Sequence, residues 1–391
     1  MNKQVWTTTA AGLLAFGAMV GCQSADTLSP VPDGEASTTA FGDAVSIAPG
    51  LGSVFTATNS SSGNEIIQYA RTMDGSIAEV ARVSTGGVGT GGGLGNQSGI
   101  SLSPNGQWLF AVNAGSDDVS VFRVRRGQLE LMDTEPSGGT QPISVTAHGS
   151  VVYVLNAGVP NNIQGFHLSS SGDLMPIAGS ERMLSGDDVG PAQVSFSPNG
   201  DYLVVTEKGT NSITTYTVGN DGQASMPNVQ ASNGMTPFGF SFSDQGILYV
   251  SEAFGGAENA SAVSSYEIHA GGDLSVVDGS VATDQTAACW LIVTRNGRYA
   301  YTTNTGSGSL TGYRVHPSGD LDRLDKDGRT GDAGEGSRPI DVAQSRSGKY
   351  LYVLEGGTHT LGIFEVGNDG SLESLGEISG LPDGTNGMAA L

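Results

Sequence analysis

Seven oxygen-bearing side chains, Asn59, Asn113, Asn156, Glu207, Glu252, Asn304 and Glu355, each close a short apolar run such as LFAVN or LVVTE, and they recur at intervals of roughly fifty residues. Four amides and three carboxylates gathered by a repeat could bind a polyol, a lactone or a cation through oxygen ligands. At strand ends the same residues could instead satisfy turn amides, a role that every copy of a repeat inherits. Glu207 and Glu252 are read as the two exceptions that reach a ligand.

The elements that must position these groups are short strands. ISLSPNGQWLFAVNA (100–114), ISVTAHGSVVYVLNA (143–157), VSFSPNGDYLVVTEK (194–208) and FSFSDQGILYVSEA (240–253) are variants of one hairpin; residues 47–59, 292–305 and 342–356 continue the series. An aromatic marks a third strand in each unit (Tyr69, Phe122, Phe166, Tyr216, Tyr266, Tyr313, Phe364), and turns such as GNDGQ or PSGDL lead into a more polar fourth. Four antiparallel strands repeated seven times predict an all-β fold, a seven-bladed β-propeller. The first unit lacks a clear innermost strand and the tail TNGMAAL (385–391) resembles one, so the C-terminal strand is expected to close the ring.

In this register Trp290 of AACWLIV sits on an innermost strand, where it either packs the core or offers a stacking floor for a sugar-like ring. Cys289 beside it reads as a buried small hydrophobe. The stretch GGVGTGGGLG (86–95) matches GxGxxG at Gly87, Gly89 and Gly92, but a strand rather than a helix follows, which excludes a dinucleotide site. It reads as a connector between blades, with a lid over one face as the alternative.

The chain has 391 residues, 60 of them glycine and 15 proline, which suits short strands and tight turns. Residues 1–21 carry Lys3, an apolar stretch from Ala10 to Val20 too short to span a bilayer, and small residues before Cys22. Met19-Val20-Gly21-Cys22 resembles a bacterial lipobox. The expected organisation is therefore a lipoprotein signal peptide (1–21), a lipidated Cys22 with a Ser/Thr/Pro-rich tether (22–41), and the propeller (42–391). That places the protein outside the cytoplasm, anchored to a bacterial membrane through its lipid alone. A net charge of −22 excludes nucleic acid and anionic lipid head groups as expected partners and disfavours highly phosphorylated substrates. A monomer with no cofactor and no metal is expected.

The repeats, together with TPFGFSF (236–242), QTAACWLIVT (285–294), NTGSGS (304–309) and PIDVAQS (339–345), resemble the seven-bladed propeller lactonase family, which includes bacterial 6-phosphogluconolactonases and fungal carboxymuconate-lactonizing enzymes. The resemblance implies a lactone or a related small polar molecule as ligand. Members of the family carry Pro-His and Gly-Pro-Arg-His on two successive blades, and a glutamate nearby. This chain has Pro142-Ile143 and Gly190-Pro191-Ala192-Gln193 there; the glutamate stands as Glu207. Lactone hydrolysis needs a base for water and a group that stabilises the oxyanion. The resemblance points to Glu207 as the base; the oxyanion partner would then have to be Lys208, Gln193 or Arg338, and the repeat register adds Asn113, Asn156, Glu252 and Trp290 as further candidate binding residues. A non-catalytic propeller that binds a small molecule or a protein is the alternative.

Overall fold

The computed structural model describes residues 52–125 and 127–391. The leader, Cys22, the tether and the start of the first repeat lie outside the described residues. The rest forms seven antiparallel sheets, each built on a four-strand path, and two of them carry an extra two-residue strand. The innermost strands of blades 2 to 7 are Ile100–Leu102, Pro142–His148, Pro191–Phe196, Pro237–Phe242, Ala288–Val293 and Pro339–Gln344. Each is followed by its hairpin partner, a third strand and a more exposed fourth.

Blade 1 closes as the tail predicts. Its three strands, Ser53–Ala57, Glu65–Arg71 and Ile77–Ser84, lack an innermost member, and Asn386–Ala390 supplies it, pairing Val54 with Ala390 and Thr56 with Met388. The Thr56 hydroxyl donates to the Gly387 carbonyl at 2.7 Å. The strand buries Met388, Ala389 and Ala390, so the circle has no free edge at its seam.

The hairpins form because the turn chemistry recurs. In blade 4, Ser197-Pro198-Asn199-Gly200 turns with Gly200 at φ 78°, the Asn199 carboxamide accepts the Asp201 N–H, the Ser197 N–H donates to the Tyr202 carbonyl, and the Ser197 hydroxyl accepts the Tyr202 N–H. The second strand, Tyr202–Glu207, is then buried on both faces between neighbouring blades. All seven third-strand aromatics are buried at 2% exposure or less, which sets them in the inter-blade core.

Adjacent blades are also pinned by tyrosine hydroxyls on the second strands. Tyr153 reaches the Gly222 carbonyl of blade 4 at 2.8 Å, and Tyr301 reaches Gly370 of blade 7 at 2.8 Å. Tyr352 of blade 7 makes the same bond to Gly75 of blade 1, at 3.3 Å across the seam. Gly75 and Gly370 lie at positive φ, and a Cβ there would strike the rings of Tyr350 and Tyr299, each two residues before the bonding tyrosine. The first and last blades therefore meet as the interior ones do.

Candidate functional site

The ring has two ends. Linkers between blades and the ends of second strands form one, the linker face; the first hairpin turns form the other, the hairpin face.

The linker face is occupied by the glycine-rich segment. Asn59 holds its start: Nδ2 donates to the Gly92 carbonyl at 2.6 Å, and Oδ1 accepts the Thr90 N–H at 3.1 Å. From Gly95 to Ser98 the chain crosses the centre of the ring. Asn96 donates to Ile143 O of blade 3, accepts the Trp290 indole N–H of blade 6 at 2.7 Å and the Asn386 amide of blade 1 at 2.9 Å. The Gln97 backbone N–H bonds Ala192 O of blade 4, its side chain pairs with Leu291 of blade 6, and Ser98 O accepts the Val145 N–H of blade 3. Gly239 of blade 5 leaves room for the Gln97 carboxamide, which any Cβ there would overlap. The segment is thus neither a simple connector nor an outer lid; it is a plug bonded round the ring.

The repeated strand-end residues do not line a channel mouth. Glu207 is fully buried, and its carboxylate accepts the hydroxyls of Ser185, Thr210 and Thr214 and the Ser185 N–H. Glu252 is equally buried and accepts the Gly234 N–H at 2.8 Å and the Ser264 and Ser280 hydroxyls at 2.5 and 2.6 Å. Burial pushes the Glu252 carboxyl up, while those donors pull it down. Asn156 donates to Ser137 O and Asn162 Oδ1, and Asn113 bonds Ser120 and accepts from Asn64 of blade 1. Asn304 holds Ser309 and Thr311, and Glu355 takes the Thr360 hydroxyl. In blades 2 to 5 the side chain ties its own blade to a preceding segment of the chain. Strand register puts Thr58, not Asn59, in the equivalent place in blade 1, since Tyr69 pairs Val54 as Tyr216 pairs Leu203.

The other expected site residues are dispersed. Gln193 pairs with the Phe240 backbone of blade 5, accepting at 2.7 Å and donating at 3.1 Å. Trp290 is buried, its ring 4.8 Å from that of Phe238, and its indole N–H is spent on the plug. Lys208 donates to Gly95 O at 2.5 Å over the Phe238 ring, and burial pulls its ammonium down to about 8. Arg338 is exposed on the linker face, at φ 48° just before an innermost strand. No ion pair joins Glu207 to a cation among the described residues.

Beyond the plug, a cavity of about 340 Å³ opens on the hairpin face. Gln97 and Ser98 form its floor; Asp341, Gln344, Ile100, Ile292 and Met388 are in its wall; Asp244 and Arg295 stand at its rim. Its volume is near the lower end for small-molecule sites and suits a ligand of sugar size. Asp341 is 3% exposed, and its carboxyl accepts the Val342 N–H at 2.8 Å. Burial pushes it up to about 8, against the pull of the Val342 and Met388 N–H groups. A group of that kind in a cleft is suited to proton transfer near neutrality. Asp341 was legible in one respect: it is the only acid on the seven innermost strands. Among the described residues no cluster of three or more His, Cys, Asp or Glu is placed to hold a metal, and no helix is long and apolar enough to cross a membrane.

Comparison with known proteins extends the fold to a family. A sequence model described as "Lactonase, 7-bladed beta-propeller" matches residues 60–180, 177–253 and 240–378. No curated protein matches the chain in sequence. Among solved structures, a candidate 6-phosphogluconolactonase of Bacteroides uniformis is similar with a TM-score of 0.67 at 20% identity, covering 87% of this chain and 99% of the other. A periplasmic gluconolactonase of Pseudomonas aeruginosa gives 0.67 at 19% identity, covering 86% and 98%. With the repeats, the closed ring and the family match in agreement, the chain belongs to the seven-bladed β-propeller lactonase family.

Proposed function

We propose that this protein is an exported, lipid-anchored lactonase that hydrolyses a small sugar-type lactone in the cavity beneath the plug. The observation that carries the reading is the polar cavity at the ring centre with the buried carboxyl of Asp341 in its wall. The likeness to a periplasmic gluconolactonase supports both the substrate class and a location outside the cytoplasm. The lipobox-like run before Cys22 supports the anchor.

In this reading ionised Asp341 takes a proton from a water as the oxygen attacks the lactone carbonyl carbon. The carbonyl oxygen becomes an oxyanion, and Arg295 is the cation lining the same cavity that can stabilise it. Collapse breaks the ring C–O bond, and the proton held by Asp341 passes to the departing alkoxide oxygen. The product is an open-chain hydroxy acid.

A non-catalytic binder is the second reading, favoured by the enclosure of Glu207 and Glu252 and by Ala192 and Ile143 standing where the resemblance led one to expect Arg and His. The full chain, assayed against sugar and aliphatic lactones beside Asp341→Asn and Glu207→Gln, separates the readings. Loss of turnover by a hundredfold or more in D341N supports the cavity. Loss confined to E207Q moves the chemistry to the linker face, and no turnover by any form leaves the binder. Membrane fractionation of Cys22→Ala against the parent tests the anchor.

A further inference from the structure

Three titratable side chains, and no others among the described residues, line the cavity: Asp341 in its wall, with Asp244 and Arg295 at its rim. Two acids against one base leave it negative once all three are ionised. Neither carboxylate joins an ion pair among the described residues, although Arg82, Arg323 and Arg329 each hold an acid elsewhere on the molecule. The rest of the wall is hydroxyl, amide and hydrocarbon, from residues such as Ser98, Ser101, Gln344, Ile100 and Met388. Such a lining meets the hydroxyls and C–H faces of a neutral polyol; the one cation it offers is Arg295.

The strands and turns that carry these groups fix their places. The Asp341 carboxyl accepts the Val342 N–H at 2.8 Å and the Met388 N–H of the closing strand, so it serves an inner edge much as Gln97 serves Leu291. Its partners are therefore uncharged. Asp244 stands in the blade 5 turn Ser243-Asp244-Gln245-Gly246, at the position where blades 2 and 4 carry Pro104 and Pro198. The Ser243 N–H donates to the Ile247 carbonyl at 2.9 Å and the Gly246 N–H to the Ser243 carbonyl at 2.9 Å, which sets the turn and leaves Asp244 exposed. Arg295 is held through its own N–H, which donates to Gln344 Oε1 at 2.9 Å and ties the blade 6 turn to the innermost strand of blade 7.

We propose that Asp341 and Asp244 filter ligands by charge, so that the cavity admits an uncharged lactone and rejects both its phosphorylated counterpart and the acid that hydrolysis forms. The filter rests on the charges of the cavity itself; that the ligand is a lactone rests on the hydrolase reading above. Coulomb interactions strengthen away from bulk water, so a phosphate or carboxylate confined beside ionised Asp341 is repelled. Repulsion also acts in the other direction: an anion in the cavity holds Asp341 in its protonated form, which cannot take a proton from water. A bound anion and a working base therefore exclude each other. Hydrolysis converts a neutral ligand into an anion, and the same repulsion drives the product out.

The test is calorimetric titration of the full chain in detergent with two matched pairs, glucose against glucose 6-phosphate and sorbitol against gluconate, repeated with Asp341→Asn and Asp244→Asn. At about pH 9, where Asp341 is ionised, the neutral member of each pair should bind at least tenfold tighter, and each variant should narrow that gap at least threefold. Between about pH 9 and about pH 7 the sorbitol–gluconate gap should shrink in the parent, as Asp341 takes up a proton, and stay constant in D341N. Asp244 is exposed, so D244N keeps the fold, and unfolding midpoints check both variants. Equal binding within the pairs, tighter binding of either anion, a gap that either variant leaves unchanged, or binding of none of the four compounds would each overturn the proposal. A charge-dependent gap without lactone turnover supports the filter while refuting the hydrolase; lactone turnover with equal binding within the pairs does the reverse.

Discussion

Gln97 and Leu291, 194 residues apart in sequence, meet at the centre of the ring through two hydrogen bonds: the Gln97 carboxamide donates to the Leu291 carbonyl at 2.8 Å and accepts its N–H at 3.0 Å. A side chain thereby takes the place of a strand neighbour on an innermost edge. Gln193 does the same for Phe240, and the Ser144 hydroxyl accepts the Val194 N–H. These bonds answer the backbone groups that the inner edges of a propeller leave unpaired.

Replacing Gln97 with alanine leaves both Leu291 backbone groups without their partner at the cavity floor. Each orphaned group costs about 1 to 3 kcal/mol, so denaturant unfolding should register a loss of about 2 to 6 kcal/mol. Gln97→Glu keeps the acceptor and loses the donor, and should fall between alanine and the parent.

Gly239→Ala tests the same contact from the other side. Its Cβ would overlap Gln97 Oε1 and lie 2.7 Å from the Cys289 carbonyl, so the plug must shift. A loss of about 2 kcal/mol or more is expected, from overpacking. Because G239A and Q97A break one interaction, their double mutant should lose at least 1 kcal/mol less than the sum. Full additivity in a double-mutant cycle would show that the two residues are uncoupled.

Glu207→Gln turns a pure acceptor into a group that also donates, in a cage of donors. Thr214 and Ser185 must turn or part with their bonds, and stability should fall by about 1 to 3 kcal/mol. Glu252→Gln should behave alike, since Ser264 and Ser280 enclose it in the same way. Chemical denaturation of both variants measures the effect.

Asp341 gives the pH dependence. Its carboxyl titrates near 8 when folded, raised by burial, and near 4 when unfolded. Between those values the folded protein holds a proton that the unfolded chain releases. Its contribution is full below about pH 4 and declines until pH passes about 8, by a few kcal/mol. In Asp341→Asn that decline should vanish. The other titratable groups lining the cavity are Asp244 and Arg295. Lactone turnover should move the opposite way, with kcat/KM rising as Asp341 ionises toward pH 8.

Closure of the ring predicts the effect of truncation. Deleting residues 386–391 removes the innermost strand of blade 1 and exposes Val54 and Phe55, so the unfolding midpoint should drop by more than 10 °C, well beyond the roughly 2 to 4 °C per kcal/mol of a single core substitution. An unchanged midpoint would mean the tail is not part of the ring.

The blades were legible because their signals are local. Alternating runs, Pro-Asn-Gly turns and one aromatic per third strand each state a neighbour relation within a few residues, and the tail carried the same pattern. The plug was hidden because glycine has no side chain to betray its neighbours, and its bonds join Asn96 to Ile143, Trp290 and Asn386 across long stretches of chain. The strand-end residues were placed correctly along the chain in six blades, but not in space. Period-two alternation names the face of a strand without saying whether that face meets solvent or the next blade, and here it meets neighbouring protein. Asn59 was misassigned by one residue because the first repeat is degenerate, and Thr58 takes the equivalent register position.

The plug has one more consequence. A propeller bored through from end to end lets a molecule arrive on one side and depart on the other; with Gly95 to Ser98 bonded across the bore, this one is a cul-de-sac. Whatever reaches Asp341 from the hairpin face passes the rim where Asp244 and Arg295 stand. Arrival and departure therefore compete for one threshold.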